Sequence, residues 1–495
     1  MPLPKPAPAG RSATTAISLD VCEMHDVMCP MRDGVRLACD VYLPAEDGQP
    51  VPGSFPVILE RTPYDKRQAI DRGRYFARHG YVCVIQDVRG RFASEGQFYA
   101  FAYEAPDGYD MVQWIAQQPW CNGKVGTMGA SYCGSDQGAM ATLNPPHLAA
   151  QAIRVGASNY HHSSMRHNGA AELRFFVYAF RMAMDSKEAA GNARARAAIS
   201  EAYQNVEQWL RRLPFERGTS PLRYFPTYEQ WIHDVLTHGD YDDYWKQRGY
   251  AISHYYDEYA DVPVYHIGGW YDSYARSTCE LFSELGARKQ AEQRLIMGPW
   301  THGGDTVSFA GDVDFGTQAH INDLNYFHKI WFDRALKGEE NALAHQPPVT
   351  IFVMGGGSGR RNAEGRLEHG GYWRFENEWP LARTQYTDFY FHADGSLSTD
   401  VPGHSPPSAY TFDPRDPVPT IGGNLSAGEP VLHAGGYDQR GDPRFWGAKG
   451  SLPLNARPDV LSFETAPLQE DLEVTGPIAV TLYAASTAVD TDFTA

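Results

Sequence analysis

The residues best suited to chemistry lie in 123–137, Gly-Lys-Val-Gly-Thr-Met-Gly-Ala-Ser-Tyr-Cys-Gly-Ser-Asp-Gln. A short apolar strand, Val125–Met128, leads into a small-residue turn with Ser131 at its tip, and a helix-like stretch, 135–143, follows. This is the layout of a nucleophile elbow. Gly129 and Ala130 are small enough for the tight turn. The amide of Tyr132 would open the helix, where a backbone N–H can stabilise an oxyanion. The chemistry implied is acyl transfer. The strict pattern is Gly-x-Ser-x-Gly, but Cys133 holds the last position and the glycine falls one later, at Gly134. The plain alternative is a glycine-rich turn whose serine only caps the helix.

A serine nucleophile needs a base, and the base needs an orienting carboxylate. In hydrolases with such an elbow the chain order is Ser, then Asp or Glu, then His. The buried run Val262–Ile267 ends in Gly-Gly-Trp-Tyr-Asp272, and the run Arg294–Met297 ends in Gly-Pro-Trp-Thr-His302. Asp272 and His302 therefore have the right order and the right loops. His161, His162, His167 and His266 compete for the base role on residue type, but only His302 sits one βα unit after an acid-bearing loop. A second oxyanion donor usually comes from the loop after an earlier strand. Here that loop is Glu60-Arg-Thr-Pro-Tyr64-Asp-Lys66, with no His-Gly-Gly-Gly run, and its Tyr64 hydroxyl is a candidate donor or a plain turn aromatic. Trp270 and Trp300 flank acid and base as pocket walls or as core aromatics. Cys133, two residues past Ser131, reads as a small inward-packing hydrophobe before it reads as a nucleophile. No Cys/His spacing suits a metal, and the scheme needs no metal or organic cofactor.

The elements that must position these groups are strands alternating with helices. Strand-like text covers 21–43, with the pieces 35–38 and 39–43 patterned as a hairpin, and continues at 55–60 and 81–86. Helical spacing marks 72–79 and 105–118. This pattern predicts a mostly parallel sheet with helices on both faces. A long helical stretch at 170–209 and an aromatic, acidic stretch at 210–260 interrupt it. The expected organisation is a disordered tail at 1–18, a first core part at 19–144, a helical cap at 145–255, a second core part at 256–343, and an antiparallel β-sandwich at 344–495. Candidate sandwich strands are 349–354, 387–392, 460–464 and 477–485. The sandwich reads as incomplete, because the text stops straight after a strand.

Composition limits the partners. The chain has 495 residues and a net charge of −17. An acidic chain without basic runs argues against nucleic acid and anionic membranes. No run of about 18 apolar residues offers a membrane span. The Pro/Ala-rich N-terminal text lacks the apolar region of a secretory signal. Seven scattered cysteines point to free thiols and a cytoplasmic location.

Six motifs stand in order: Met31-Arg-Asp-Gly-Val-Arg-Leu37, Arg61-Thr-Pro-Tyr-Asp-Lys66, Gln86-Asp-Val-Arg-Gly-Arg-Phe-Ala-Ser-Glu-Gly96, Gly129-Ala-Ser-Tyr-Cys-Gly134, Gly269-Trp-Tyr-Asp272 and Gly298-Pro-Trp-Thr-His302. Together they resemble the bacterial cocaine esterase group, the CocE/NonD hydrolases. That group is related to X-prolyl dipeptidyl peptidases, glutaryl acylases and α-amino acid ester hydrolases. The resemblance implies an α/β-hydrolase core with a helical cap and a C-terminal jelly-roll. It implies Ser131, Asp272 and His302 as catalytic triad, with the Tyr64 hydroxyl and Tyr132 amide as oxyanion hole. It also places Tyr274 at a position lining the acyl pocket.

The expected activity is cleavage of a small-molecule ester through a covalent acyl-enzyme. An amidase, peptidase or β-lactam acylase on the same residues is the alternative within enzymes. An inactive hydrolase-fold binding protein is the alternative outside them. A peptidase should hold a substrate ammonium with unpaired carboxylates, for which Glu172, Asp234, Asp240, Asp242 and Asp243 are candidates. The sequence leaves room for a homo-oligomer.

Overall fold

The structure is a computed structural model that describes residues 19–426 and 428–495. The expected tail at 1–18 lies outside the described residues. β1 (Asp20–Pro30) and β2 (Arg36–Glu46) form an antiparallel hairpin. The text at 35–43 predicts two strands, but the structure makes it one. Every residue of β2 from Leu37 to Ala45 is buried. A strand covered on both faces has no alternation to read.

β3 (Gln49–Pro50) adds briefly to β2. Alternation then sets in with β4 (Phe55–Thr62), α1 (Ile70–Arg78), β5 (Val82–Asp87), α2 (Glu104–Ala116), β6 (Cys121–Ala130), α3 (Tyr132–Ala141) and β7 (Leu148–Arg154). The cap follows with α4 (Tyr160–Ser163), the short pair β8 (Arg166–His167) and β9 (Ala170–Ala171), then α5 (Arg174–Met184), α6 (Lys187–Gly191), α7 (Ala193–Gln204), α8 (Val206–Leu210) and α9 (Pro226–Thr237). The long helix expected over 170–209 is thus four shorter ones. Ser186 and Asn192 restart the chain by accepting the Ala189 and Ala195 amides, as N-caps do.

The core resumes with β10 (Val264–Tyr271), α10 (Ala275–Arg288), β11 (Gln293–Thr301), β12 (Phe309–Ala310), β13 (Val313–Asp314) and α11 (Leu324–Lys337). β14 (Val349–Met354), β15 (Leu367–Glu368) and β16 (Gly371–Glu376) come next. The main sheet runs β1-β2-β5-β4-β6-β7-β10-β11-β14-β16. From β5 to β14 all neighbours are parallel. Val349–Met354, expected in the sandwich, instead pairs in parallel with β11 and extends this sheet. Beyond Glu376 the described chain runs mainly in turns and extended segments. β17 (Tyr390–Phe391) pairs with β18 (Leu397–Ser398), Ser396 bridges Glu464, and 477–485 carries no ladder.

Successive residues of each strand feed opposite faces. Ile58 and Ile85 pack with Phe76 of α1 and with Phe332 and Leu336 of α11. Leu59 and Val84 pack with Met111 and Ile115 of α2 and with Leu281 and Leu285 of α10. A third apolar cluster joins the cap to the sheet's C-terminal edge. It contains Phe175, Tyr178 and Trp231 from the cap, Tyr132 and Tyr274 from the edge, and Val431. Among the described residues no helix is long and apolar enough to cross a membrane.

Candidate active site

Four loops leave the C-terminal ends of parallel strands and carry the candidate residues. Ligand sites of open α/β sheets sit at this edge. Leu59 pairs with Thr127, and three residues on, β4 and β6 end together at Thr62 and Ala130. Tyr64 and Ser131 therefore emerge side by side. Tyr271 pairs with Thr301, so Asp272 and His302 emerge as neighbours too.

Ser131 occupies φ 62°, ψ −118°, a left-handed conformation that a non-glycine residue adopts only when its surroundings impose it. Its amide donates to the Arg154 carbonyl at 3.0 Å, and its carbonyl accepts from Gly134 and Ser135 amides. Its side chain makes no capping bond to α3, which removes the plain helix-cap reading. The displaced glycine has a spatial cause. A Cβ on Gly134 would sit 2.6 Å from the Arg154 carbonyl oxygen, where α3 meets the end of β7. A Cβ on Gly129 would meet Cys133 at 2.5 Å. Cys133 itself tucks beneath the turn, and burial holds its thiol well above the usual range, hence protonated.

His302 Nδ1 lies 2.8 Å from Asp272 Oδ2. The Asp272 side chain is fully buried, while His302 keeps about a fifth of its side chain in contact with solvent. The other Asp272 oxygen accepts the Tyr274 amide at 2.9 Å, fixing the carboxylate plane. Asp272 thus presents a bonded oxygen to an imidazole whose other nitrogen has no partner among the described residues. Among the described residues no hydrogen bond yet joins His302 to Ser131.

The Tyr132 amide opens α3 and donates to no acceptor among the described residues, as expected of an N1 position. The Tyr132 ring points away into the core. Its hydroxyl donates to Glu104 Oε1 at 2.6 Å and accepts the Phe101 amide at 2.9 Å. Glu104 also pairs with Arg61 at 2.8 Å. The Tyr64 hydroxyl lies 3.0 Å from that of Tyr178, and its ring meets Tyr132 edge-on. Burial raises the Tyr64 hydroxyl above its ordinary range. The Tyr274 ring lies 5.7 Å from the His302 ring, in the same cluster as Tyr64 and Tyr132.

The two tryptophans go elsewhere. Trp270 donates to the Phe352 carbonyl and packs on Trp379. Trp300 donates to the Ala319 carbonyl and packs on Trp373. Both belong to scaffold clusters that exclude Tyr64, Tyr132 and Tyr274. Of the rival histidines, His266 is buried in β10 against Gln293, and His161 binds the Gly239 carbonyl. Among the described residues no group of three or more His, Cys, Asp or Glu side chains is arranged to hold a metal.

Sequence reasoning misses the cap's contributions. Tyr178 and Arg174 of α5 are buried against the site. Arg174 pairs with Glu172, bonds Ser426 and Ser164, and stands over the Tyr274 ring. Ser426 in turn bonds Ser273, next to Asp272. The only local signal was an arginine heading the otherwise apolar run 175–180.

The comparisons with known proteins agree with this architecture. Residues 33–304 match the family described as X-Pro dipeptidyl-peptidase (S15 family), and residues 341–495 match the X-Pro dipeptidyl-peptidase C-terminal non-catalytic domain. Cocaine esterase of Rhodococcus sp. (strain MB1 Bresler) is 34% identical over 491 residues, covering 95% of this chain and 79% of that protein. A putative serine esterase of Mycobacterium bovis is 27% identical over 535 residues, covering 94% and 76%. Among solved structures, an α-amino acid ester hydrolase superposes with a TM-score of 0.63 at 24% identity, covering 96% of this chain and 77% of that one. A CocE/NonD family hydrolase from Staphylococcus aureus superposes with a TM-score of 0.54 at 21% identity, covering 77% of this chain and 60% of that one. Those two likenesses carry the fold. A sheet with a serine elbow, an inserted cap and a following C-terminal domain, matched along both family regions and by a relative at 34% identity, means that the chain belongs to the CocE/NonD family of hydrolases, within the S15 peptidase group.

Proposed function

We propose that the chain is a serine hydrolase that cleaves a carboxylic ester of a small molecule through a covalent acyl-enzyme. The observation that carries this reading is the Asp272–His302 hydrogen bond at the sheet edge where Ser131 is held in its strained turn. His302 takes the Ser131 proton as the oxygen attacks the carbonyl. Asp272 fixes the imidazole tautomer and stabilises the imidazolium. The Tyr64 hydroxyl and the Tyr132 amide donate to the tetrahedral oxyanion, and losing one such donor typically costs about 100- to 1,000-fold in rate. His302 then protonates the leaving alkoxide, and water attacks the acyl-enzyme by the same route.

An ester is favoured over a substrate bearing a free ammonium because three of the five candidate cap acids already have partners. Glu172 is paired with Arg174 and His167, Asp234 accepts from Tyr99 and Gln230, and Asp242 pairs with His238. The relatives named as a cocaine esterase and a putative serine esterase support the same reading. Seven scattered cysteines without a paired spacing favour a reducing compartment such as the cytoplasm.

A fluorophosphonate probe tests the proposal. It should label the wild-type protein at Ser131 and leave folded Ser131→Ala unlabelled and without activity on a short p-nitrophenyl ester. Undiminished ester hydrolysis by Ser131→Ala would sink it.

A further inference from the structure

Helix α5 presents Arg174, Tyr178 and Met182 at spacings of four, on one face. That face spans the candidate site. At its start Arg174 reaches Ser426 and the Tyr274 ring beside the acid loop. In its middle Tyr178 meets Tyr64. At its end the Met182 carbonyl accepts from the Arg91 guanidinium at 2.8 Å. Arg91 is fully buried and also donates to the Pro63 carbonyl at 2.8 Å, one residue before Tyr64. The loop that carries Tyr64 is thus tied to α5 twice, once through its backbone and once through its side chain.

The Tyr64–Tyr178 pair is self-contained. Among the described residues each hydroxyl has the other as its sole hydrogen-bond partner. The Tyr178 ring is held edge-on by Phe175 and by Trp231, so its hydroxyl has little freedom to go elsewhere. A hydroxyl has one proton to give. If Tyr64 gives its proton to an oxyanion, its lone pair is left for Tyr178, and Tyr178 must be the donor.

We infer that Tyr178 is a positioning residue for the oxyanion hole: its hydroxyl donates to Tyr64 and aims the Tyr64 proton at the tetrahedral oxygen. The inference rests on the assignment of Tyr64 made above. It makes a two-link chain, Tyr178 to Tyr64 to oxyanion, in which each bond polarises the next. Burial raises both hydroxyls, and their shared bond lowers Tyr64 while raising Tyr178, which leaves Tyr64 the readier proton donor. The cap, on this account, completes the oxyanion hole as well as covering it.

A double-mutant cycle on a short p-nitrophenyl ester tests the chain, using wild type, Tyr64→Phe, Tyr178→Phe and the double variant. Tyr178→Phe should lower kcat about 5- to 10-fold, the size of one hydrogen bond, with KM unchanged within about twofold. In the Tyr64→Phe background the same change should alter kcat by less than about twofold. Equal factors in both backgrounds would mean that Tyr178 acts on the substrate by itself and would overturn the inference. A loss in Tyr64→Phe with full kcat in Tyr178→Phe would overturn it alone. An unchanged kcat in Tyr64→Phe would remove the oxyanion assignment, and this inference with it. Thermal melts of the four proteins separate a packing defect from a loss of alignment, since Phe keeps the ring contacts and a packing defect moves the midpoint.

Discussion

Tyr271 faces Thr301 on the last rung between β10 and β11. The next residues, Asp272 and His302, therefore leave the sheet as neighbours and are already hydrogen-bonded at 2.8 Å. Thirty residues of sequence are closed by one parallel pairing, and the alignment of Asp272 with His302 is a property of the sheet.

Asp272→Asn keeps the size of the side chain and removes its charge. The amide presents an N–H to His302 Nδ1 where a carboxylate had accepted one, and the imidazole turns to the wrong tautomer. In the Ser-His-Asp template that change costs on the order of 10,000-fold in kcat. The same order of loss is expected here, with KM little moved, in steady-state kinetics on a p-nitrophenyl ester. Retention of more than about a tenth of wild-type kcat would show that another residue orients His302.

The triad candidates were legible because each lies in a local signal, a buried apolar run that ends in a small-residue loop. Such runs make parallel strands, and parallel strands put their following loops on one edge. What was not legible joins residues far apart in the chain. Tyr64 and Tyr178 are separated by 114 positions, and Arg174 and Ser426 by 252. No periodicity connects them, because their proximity comes from how the cap folds over the sheet. Trp270 and Trp300 show the converse. Their nearness to Asp272 and His302 in sequence left pocket and core readings open, and the fold packs both into scaffold clusters. β2 was read as strand but split in two, because with both faces buried its pattern carries no mark of where a turn would fall.

His266 makes the fold sensitive to acid. It is fully buried in β10, its Nε2 lies 2.9 Å from Gln293 Oε1, and among the described residues its Nδ1 has no partner. Burial pushes its pKa down to about 4, with the Gln293 bond opposing in part. Between the unfolded value near 6.5 and about 4, the unfolded chain takes up a proton that the folded chain refuses. The stability His266 leaves intact above about pH 6.5 is therefore lost as pH falls through that window, by about 3 kcal/mol at full extent. Urea unfolding of wild type and His266→Gln at pH 7.5, 6.5, 5.5 and 4.5 checks this. The variant should lose less stability on acidification, and parallel curves would rule His266 out as the cause.

The elbow offers the sharpest contrast between neighbouring positions. The ordinary pattern puts glycine where Cys133 stands, yet the tight approach here is at Gly134. An alanine Cβ there would lie 2.6 Å from the Arg154 carbonyl and 3.3 Å from the Gly156 backbone, atoms that cannot turn aside. Gly134→Ala must push α3 off the end of β7, and overpacking of this kind costs about 1–3 kcal/mol. α3 begins with the Tyr132 amide, so the shift also withdraws the proposed oxyanion donor, and kcat should fall along with stability. Cys133→Ala removes one buried sulfur and should cost about 1 kcal/mol. Because that thiol is held protonated, ester hydrolysis should survive its loss. Denaturant melts and p-nitrophenyl ester kinetics on the two variants decide the matter. If Cys133→Ala proved inactive while folded, the nucleophile would have to be sought two residues past Ser131, and a benign Gly134→Ala would move the close contact away from Gly134.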